Sequence, residues 1–229
     1  MPDPITKKLT IAEYKEAQTN LSELMANAVT GFAAAQQVGD LVAAKAWSET
    51  LVVPIASLKE QFEQLSLQER FVYKYSVKKI NDHQVRLVLP KGTSRIDLLN
   101  EAQEIARELY GRDAVYPDHL KDWQKEDNFR SKTTSTTKLG IDGRVEGLDA
   151  KSRKEQESDL KEQMAPLADL AVAHTAFFIL TGKDLFQGQY VRACGGALSF
   201  ISDGLGVACY DDAYGYDDVS ASRSLPSTN

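Results

Sequence analysis

Residues 167–180 constrain this chain more than any other stretch: Leu-Ala-Asp-Leu-Ala-Val-Ala-His-Thr-Ala-Phe-Phe-Ile-Leu. A helix with so few polar positions must be enclosed by protein. Pro166 suits its first turn and Gly182 its end. Leu167, Leu170, Ala171, His174, Phe177 and Phe178 point inward, and the rest of the chain has to wrap them. The apolar run inside it, Leu170 to Leu180, reads as the longest in the chain. It falls short of the roughly 20 residues a bilayer crossing needs.

The first 66 residues offer two amphipathic stripes. Ile11, Tyr14, Leu21, Leu24, Met25, Ala28 and Phe32 recur at helical spacing, as do Leu41, Ala44, Leu51, Ile55, Leu58, Phe62 and Leu65. Gly31 and Gly39 permit a turn between them, and Pro54 predicts a kink or break in the second. Residues 1–66 therefore read as a helical hairpin that packs its stripes on the remainder. About three heptads is short for an independent coiled-coil arm.

The apolar period then drops to two. Phe71, Tyr73, Tyr75 and Val77 alternate with polar neighbours, and Val85, Leu87 and Leu89 resume after Asn81-Asp82-His83. A three-residue loop places Val77 opposite Leu87 and Tyr75 opposite Leu89, which keeps one apolar face. Ser94 and Asp97 form a capping box for a helix carrying Ile96, Leu99, Ala102, Ile105, Ala106 and Leu109, closed by Gly111. A shorter helix starts near Pro117. Between Lys125 and Arg153 the apolar signal nearly vanishes, so 125–153 reads as a long polar loop. A charged helix over 150–163 follows.

Gly195-Gly196 and Asp203-Gly204 are hairpin signals. Tight turns there align Ala193 and Leu198 with Cys209, and Val191 and Phe200 with Val207. In that meander Cys194 and Cys209 point to opposite faces, which predicts free thiols. The expected fold class is α+β. It comprises an N-terminal helical hairpin, a two-stranded and a three-stranded antiparallel β element, and a buried central helix near 166–181. The expected body spans 67–218, and 219–229 reads as a flexible tail.

Charge argues against nucleic acid as a partner: 33 acidic residues outnumber 27 basic ones, for a net −6 over 229 residues. No apolar segment follows Lys7 and Lys8, so the expectation is a soluble, cytoplasmic protein without membrane association. No HExxH, GxSxG or Walker motif occurs, and no cofactor is implied.

His174 sits on an apolar face and reads first as a core histidine, second as a general base. Cys194 precedes two glycines whose amides could hold an oxyanion, so a thiol nucleophile with His174 is conceivable. Arg192 and Ser199 join them as catalytic candidates. Asp211, Asp212, Asp217 and Asp218 could gather a hard cation but match no EF-hand spacing. Tyr210, Tyr214 and Tyr216 offer stiff contact area for a partner. Arg70, Lys74, Lys78 and Arg86 form a cationic row on the predicted hairpin, suited to an acidic partner or to a plain solvated face. The leading functional expectation is a protein that binds a protein partner or assembles with itself, without catalysis. The rival is a hydrolase or transferase built from the C-terminal sheet and His174.

Overall fold

A capping box opens the first helix: the Glu13 amide donates to Thr10 Oγ1, and the Thr10 amide donates to the Glu13 carboxylate. It starts α1 (Ile11–Gln37) in the computed structural model, which describes residues 10–148, 151–160, 163–194, 196–201, 204–208 and 219–226. The chain divides into two compact units, Met1–Arg70 and Phe71–Asn229.

In the first unit the chain turns at Gly39, whose φ of +76° favours glycine. Asp40 then caps α2 (Leu41–Glu49) by accepting from the Ala43 amide at 2.9 Å. The break comes at Thr50–Leu51, and Pro54 falls in the first turn of α3 (Val52–Gln64), where its missing N–H costs nothing. Helix α1 packs against α2 and α3. The seam is made of small residues: Ala28, Ala35 and Ala44 are buried, and Trp47 lies over Gly31. The expected stripes hold only in part: Tyr14, Ala28, Ala44 and Leu65 are buried, with the rings of Tyr14 and Phe62 5.4 Å apart. Close approach at alanine and glycine leaves Met25, Phe32, Leu41 and Ile55 outside the seam and exposed. The apolar-length expectation also changes, because Leu41–Glu63 is long and apolar enough by composition to cross a membrane, although it is two helices.

Residues 71–74 are helical, not extended, and the Tyr75 amide closes the last turn on the Phe71 carbonyl. The Glu69 amide donates to Ser66 Oγ and the Ser66 amide to Glu69, forming a second capping box ahead of α4 (Leu67–Lys74). Phe71 and Tyr75 are four apart, so the same residues that alternate also share a helical face. Both are fully buried, their ring centroids 4.8 Å apart. Only Lys78–Lys79 (β1) remains extended before the loop, and it pairs with β2 (Gln84–Leu89). The register is the one a three-residue loop predicts: Lys78 opposes Arg86, and the Ile80 amide donates to the Gln84 carbonyl at 2.9 Å.

Helix α5 (Arg95–Tyr110) begins at the Ser94–Asp97 capping box and ends at Gly111, with φ of +65°. Two short helices follow, α6 (Pro117–Trp123) and α7 (Asp127–Arg130). The polar segment 125–153 is not one loop, for it contains β3 (Thr137–Asp142), which pairs along the whole of β2. Leu139 and Ile141 supply the alternation, too brief to stand out from its polar flanks. Beyond α8 (Arg153–Leu160) comes α9 (Leu167–Thr181), with twelve of its 15 residues buried.

The second sheet joins β4 (Tyr190–Ala193), β5 (Gly196–Ile201) and β6 (Gly204–Ala208) as an antiparallel meander. Both turns sit earlier than expected: Ala193 opposes Gly196, and Ile201 opposes Gly204. The shift of two positions preserves each residue's parity in the ladder. Each sheet gains a fourth strand from the supposed tail. Strand β7 (Val219–Ala221) runs parallel to β4, and β8 (Arg223–Ser224) pairs with β3. The tail is therefore ordered through residue 226, because its backbone completes two open edges. Helix α9 packs against α5, against β1–β3 of one sheet and against β5 of the other, which makes it the central helix.

Candidate functional site

Among the described residues, His174 and Arg192 do not join Cys194 in its groove. His174 is fully buried, with Nε2 3.0 Å from Asp184 Oδ1 and its ring against Phe186. Burial pushes its pKa below the ordinary histidine value, against the opposing pull of Asp184. Burial raises the Asp184 carboxyl, but His174 and the amides of Gly188 and Phe186 outweigh it and hold the group low. The pair pins the turn at 184–188. Arg192 is buried as well, its Nη1 donating to the Lys151 carbonyl at 2.9 Å and to Gln156 Oε1 at 3.1 Å.

Cys194 is a free, exposed thiol. It lines a groove of about 480 Å³ beside Arg95 and Asp169, which form a 2.6 Å ion pair. Neither His174 nor Arg192 lines that groove. Ser199 lies in β5, in a stretch whose side chains are outside the described residues. Cys209, Tyr210, Tyr214 and Tyr216 lie outside them too, as do Asp211, Asp212, Asp217 and Asp218. Among the described residues no three His, Cys, Asp or Glu side chains gather to hold a metal ion.

The cationic row divides, because its first half is helical. Arg70 and Lys74 belong to α4, and Lys74 Nζ meets Glu101 Oε2 at 2.6 Å. Lys78 and Arg86 remain together as direct cross-strand neighbours, and β3 brings Lys138 to the same groove, of about 350 Å³. Lys138 could not be placed from the sequence without first recognising β3.

Exposed large apolar side chains concentrate in the N-terminal unit. Ten of the twelve exposed large apolar side chains among the described residues lie between Met25 and Ile55. Val42, Val38, Leu41 and Val53 are 82%, 80%, 78% and 74% exposed. Charge is scarce in the same region: residues 24–39 and 50–58 contain none, and of Asp40, Lys45 and Glu49 between them, the last two pair with each other. Comparison with protein-family models, with curated proteins and with solved structures finds no match for the chain.

Proposed function

We propose that this protein works by self-assembly, with the N-terminal helical hairpin as its contact surface and a second copy of the chain as the occupant. The observation that carries the reading is the charge-poor, apolar stretch from Met25 to Ile55. Contiguous exposed apolar surface of this kind marks interaction sites. An identical patch on every copy lends itself to a two-fold contact, which would bring α1, α2 and α3 of each copy to one interface. Charge is scarce there, so little has to be desolvated when the surfaces meet.

A lipid surface fits less well. Asp40, Lys45 and Glu49 interrupt the apolar residues at the tip, and charges are costly in hydrocarbon. The enzyme reading draws less support, since His174 Nε2 and Arg192 Nη1 are spent on structural partners.

Sedimentation velocity across a wide concentration range tests the proposal. The expected result is a dimer or small oligomer that Val42→Glu and Val53→Glu convert to folded monomer. A wild-type chain that stays monomeric, or that floats with phospholipid vesicles instead of self-associating, overturns it.

A further inference from the structure

The ion pair of Arg95 and Asp169 uses only part of each side chain. Arg95 opens α5 and Asp169 stands in the first turn of α9, so the pair ties two packed helices together at their starts. Arg95 Nε donates to Asp169 Oδ1 at 2.6 Å. Among the described residues nothing else bonds to either side chain, which leaves both Arg95 Nη groups and Asp169 Oδ2 without a partner. The two side chains are nevertheless only 22% and 12% exposed. None of the three groups is sealed inside, and both residues line the 480 Å³ groove that also holds Cys194. Partly desolvated polar groups gain more from a charged partner than fully hydrated ones do.

Around this edge the groove is mildly acidic. Asp127 is matched by Arg130 at 2.6 Å, whereas exposed Glu126 has no partner for its carboxylate. Arg95 and Asp169 cancel, so one negative charge is left over and a simple anion is disfavoured. Exposed Pro166 and half-buried Leu167 add apolar surface, and Phe129 backs it, stacked on Trp123 with centroids 4.7 Å apart. The groove is firmly built: the Leu167 amide donates to the Cys194 carbonyl at 3.0 Å, and the Cys194 amide donates to the Ala165 carbonyl at 2.9 Å. We propose that this groove binds a free, apolar α-amino acid as its zwitterion. The Arg95 Nη fork takes the carboxylate, and Asp169 Oδ2 with Glu126 takes the ammonium. One carbon separates those two groups in an α-amino acid, which suits a donor edge and an acceptor side by side on a single ion pair. An aliphatic or aromatic side chain rests on Pro166 and Leu167. The groove's volume falls within the range of small-ligand sites. The inference stands apart from the assembly reading, since it uses no residue of the N-terminal unit.

Isothermal titration of the full chain with L-leucine, L-phenylalanine, glycine, N-acetyl-L-leucine and L-leucinamide tests it. Leucine and phenylalanine are expected to bind one per chain. N-acetylation removes the ammonium and amidation removes the carboxylate, and each is expected to weaken binding about tenfold or more. Glycine is expected to bind about tenfold or more weakly than leucine, because it buries no apolar side chain. Leucine is also expected to slow alkylation of Cys194 by iodoacetamide, followed on the Cys194 peptide by mass spectrometry, which reports occupancy even where the heat is small. Arg95→Lys keeps the charge without the fork and is expected to cost about tenfold in affinity. Glu126→Gln alters an exposed side chain and is expected to cost about threefold. Circular dichroism of each variant separates lost binding from lost fold. Neither heat nor protection of Cys194 at millimolar leucine, equal binding of glycine, N-acetyl-leucine or leucinamide, or unchanged affinity in either variant when folded overturns the proposal.

Discussion

Trp47 covers Gly31 so closely that a Cβ on residue 31 would stand 2.3 Å from the indole Cε2. The hairpin seam therefore depends on a missing side chain. Gly31→Ala is expected to destabilise the N-terminal unit by about 2 kcal/mol through overpacking. Gly31→Ala in a Trp47→Ala background should instead stabilise it by about 0.5–1 kcal/mol, because only the gain in helix propensity remains. Urea titrations of the four variants in that cycle, followed by far-UV circular dichroism, check the reversal of sign.

Gln103 replaces a strand where 113–115 runs past α5. Its Oε1 accepts from the amides of Ala114 and Val115, both at 2.9 Å, and its Nε2 donates to the Val115 carbonyl and to Asp113. Gln103→Leu leaves buried amides unmet and is expected to cost about 3 kcal/mol, at roughly 1–3 kcal/mol for each orphaned group. Gln103→Glu keeps the acceptor but sets a second carboxylate beside Asp113. Its loss should grow with rising pH, which thermal melts at pH 5 and pH 8 would resolve.

His174 makes the body acid-sensitive. Its folded pKa lies below the ordinary value of about 6.5 because burial disfavours the charged ring. Between those two values the unfolded chain binds more protons than the folded one, so stability rises with pH there and is lost on acidification. The melting temperature should decline as pH falls through the histidine range, by up to about 1.4 kcal/mol of stability per pH unit. His174→Gln should flatten that slope. An unchanged slope in the variant would assign the sensitivity elsewhere.

Asp142 is buried between two neighbouring strands, accepting from Gln84 Nε2 at 3.0 Å and lying 3.2 Å from Arg223 Nη2. Asp142→Ala is expected to loosen β8 before it unfolds the body, at about 1–3 kcal/mol. Hydrogen exchange should show amide protection falling at residues 223–225 while α5 stays protected.

Much of this architecture can be read from local chemistry. The Ser94–Asp97 box, the stop at Gly111 and the enclosed helix at 167–181 rest on neighbouring residues, and so does the register at Lys78–Arg86. Phe71 and Tyr75 mislead because positions two apart and four apart coincide there, and only the Ser66–Glu69 box separates helix from strand. Strands β3 and β8 escape notice for a different reason. Each is held by partners remote in sequence; β3 has two apolar residues of its own and β8 has none. The groove beside Lys78, Arg86 and Lys138 is accordingly half visible: Lys78 and Arg86 follow from the hairpin, whereas Lys138 depends on long-range pairing. Arg192 reads as available in the sequence because sequence cannot show that Lys151 and Gln156 occupy it.

Ala221 belongs to one sheet and Arg223 to the other, with only Ser222 between them, its amide donating to the Arg192 carbonyl at 3.0 Å. Ser224 meets Ile141 across 83 positions of chain. Such pairings close slowly, and they cannot begin until the ribosome has extruded these last strands. During synthesis the N-terminal hairpin can form early from local contacts, while β3 and β4 wait with open edges. A nascent chain halted after residue 218 would expose both at once, the circumstance in which β edges recruit the wrong neighbour.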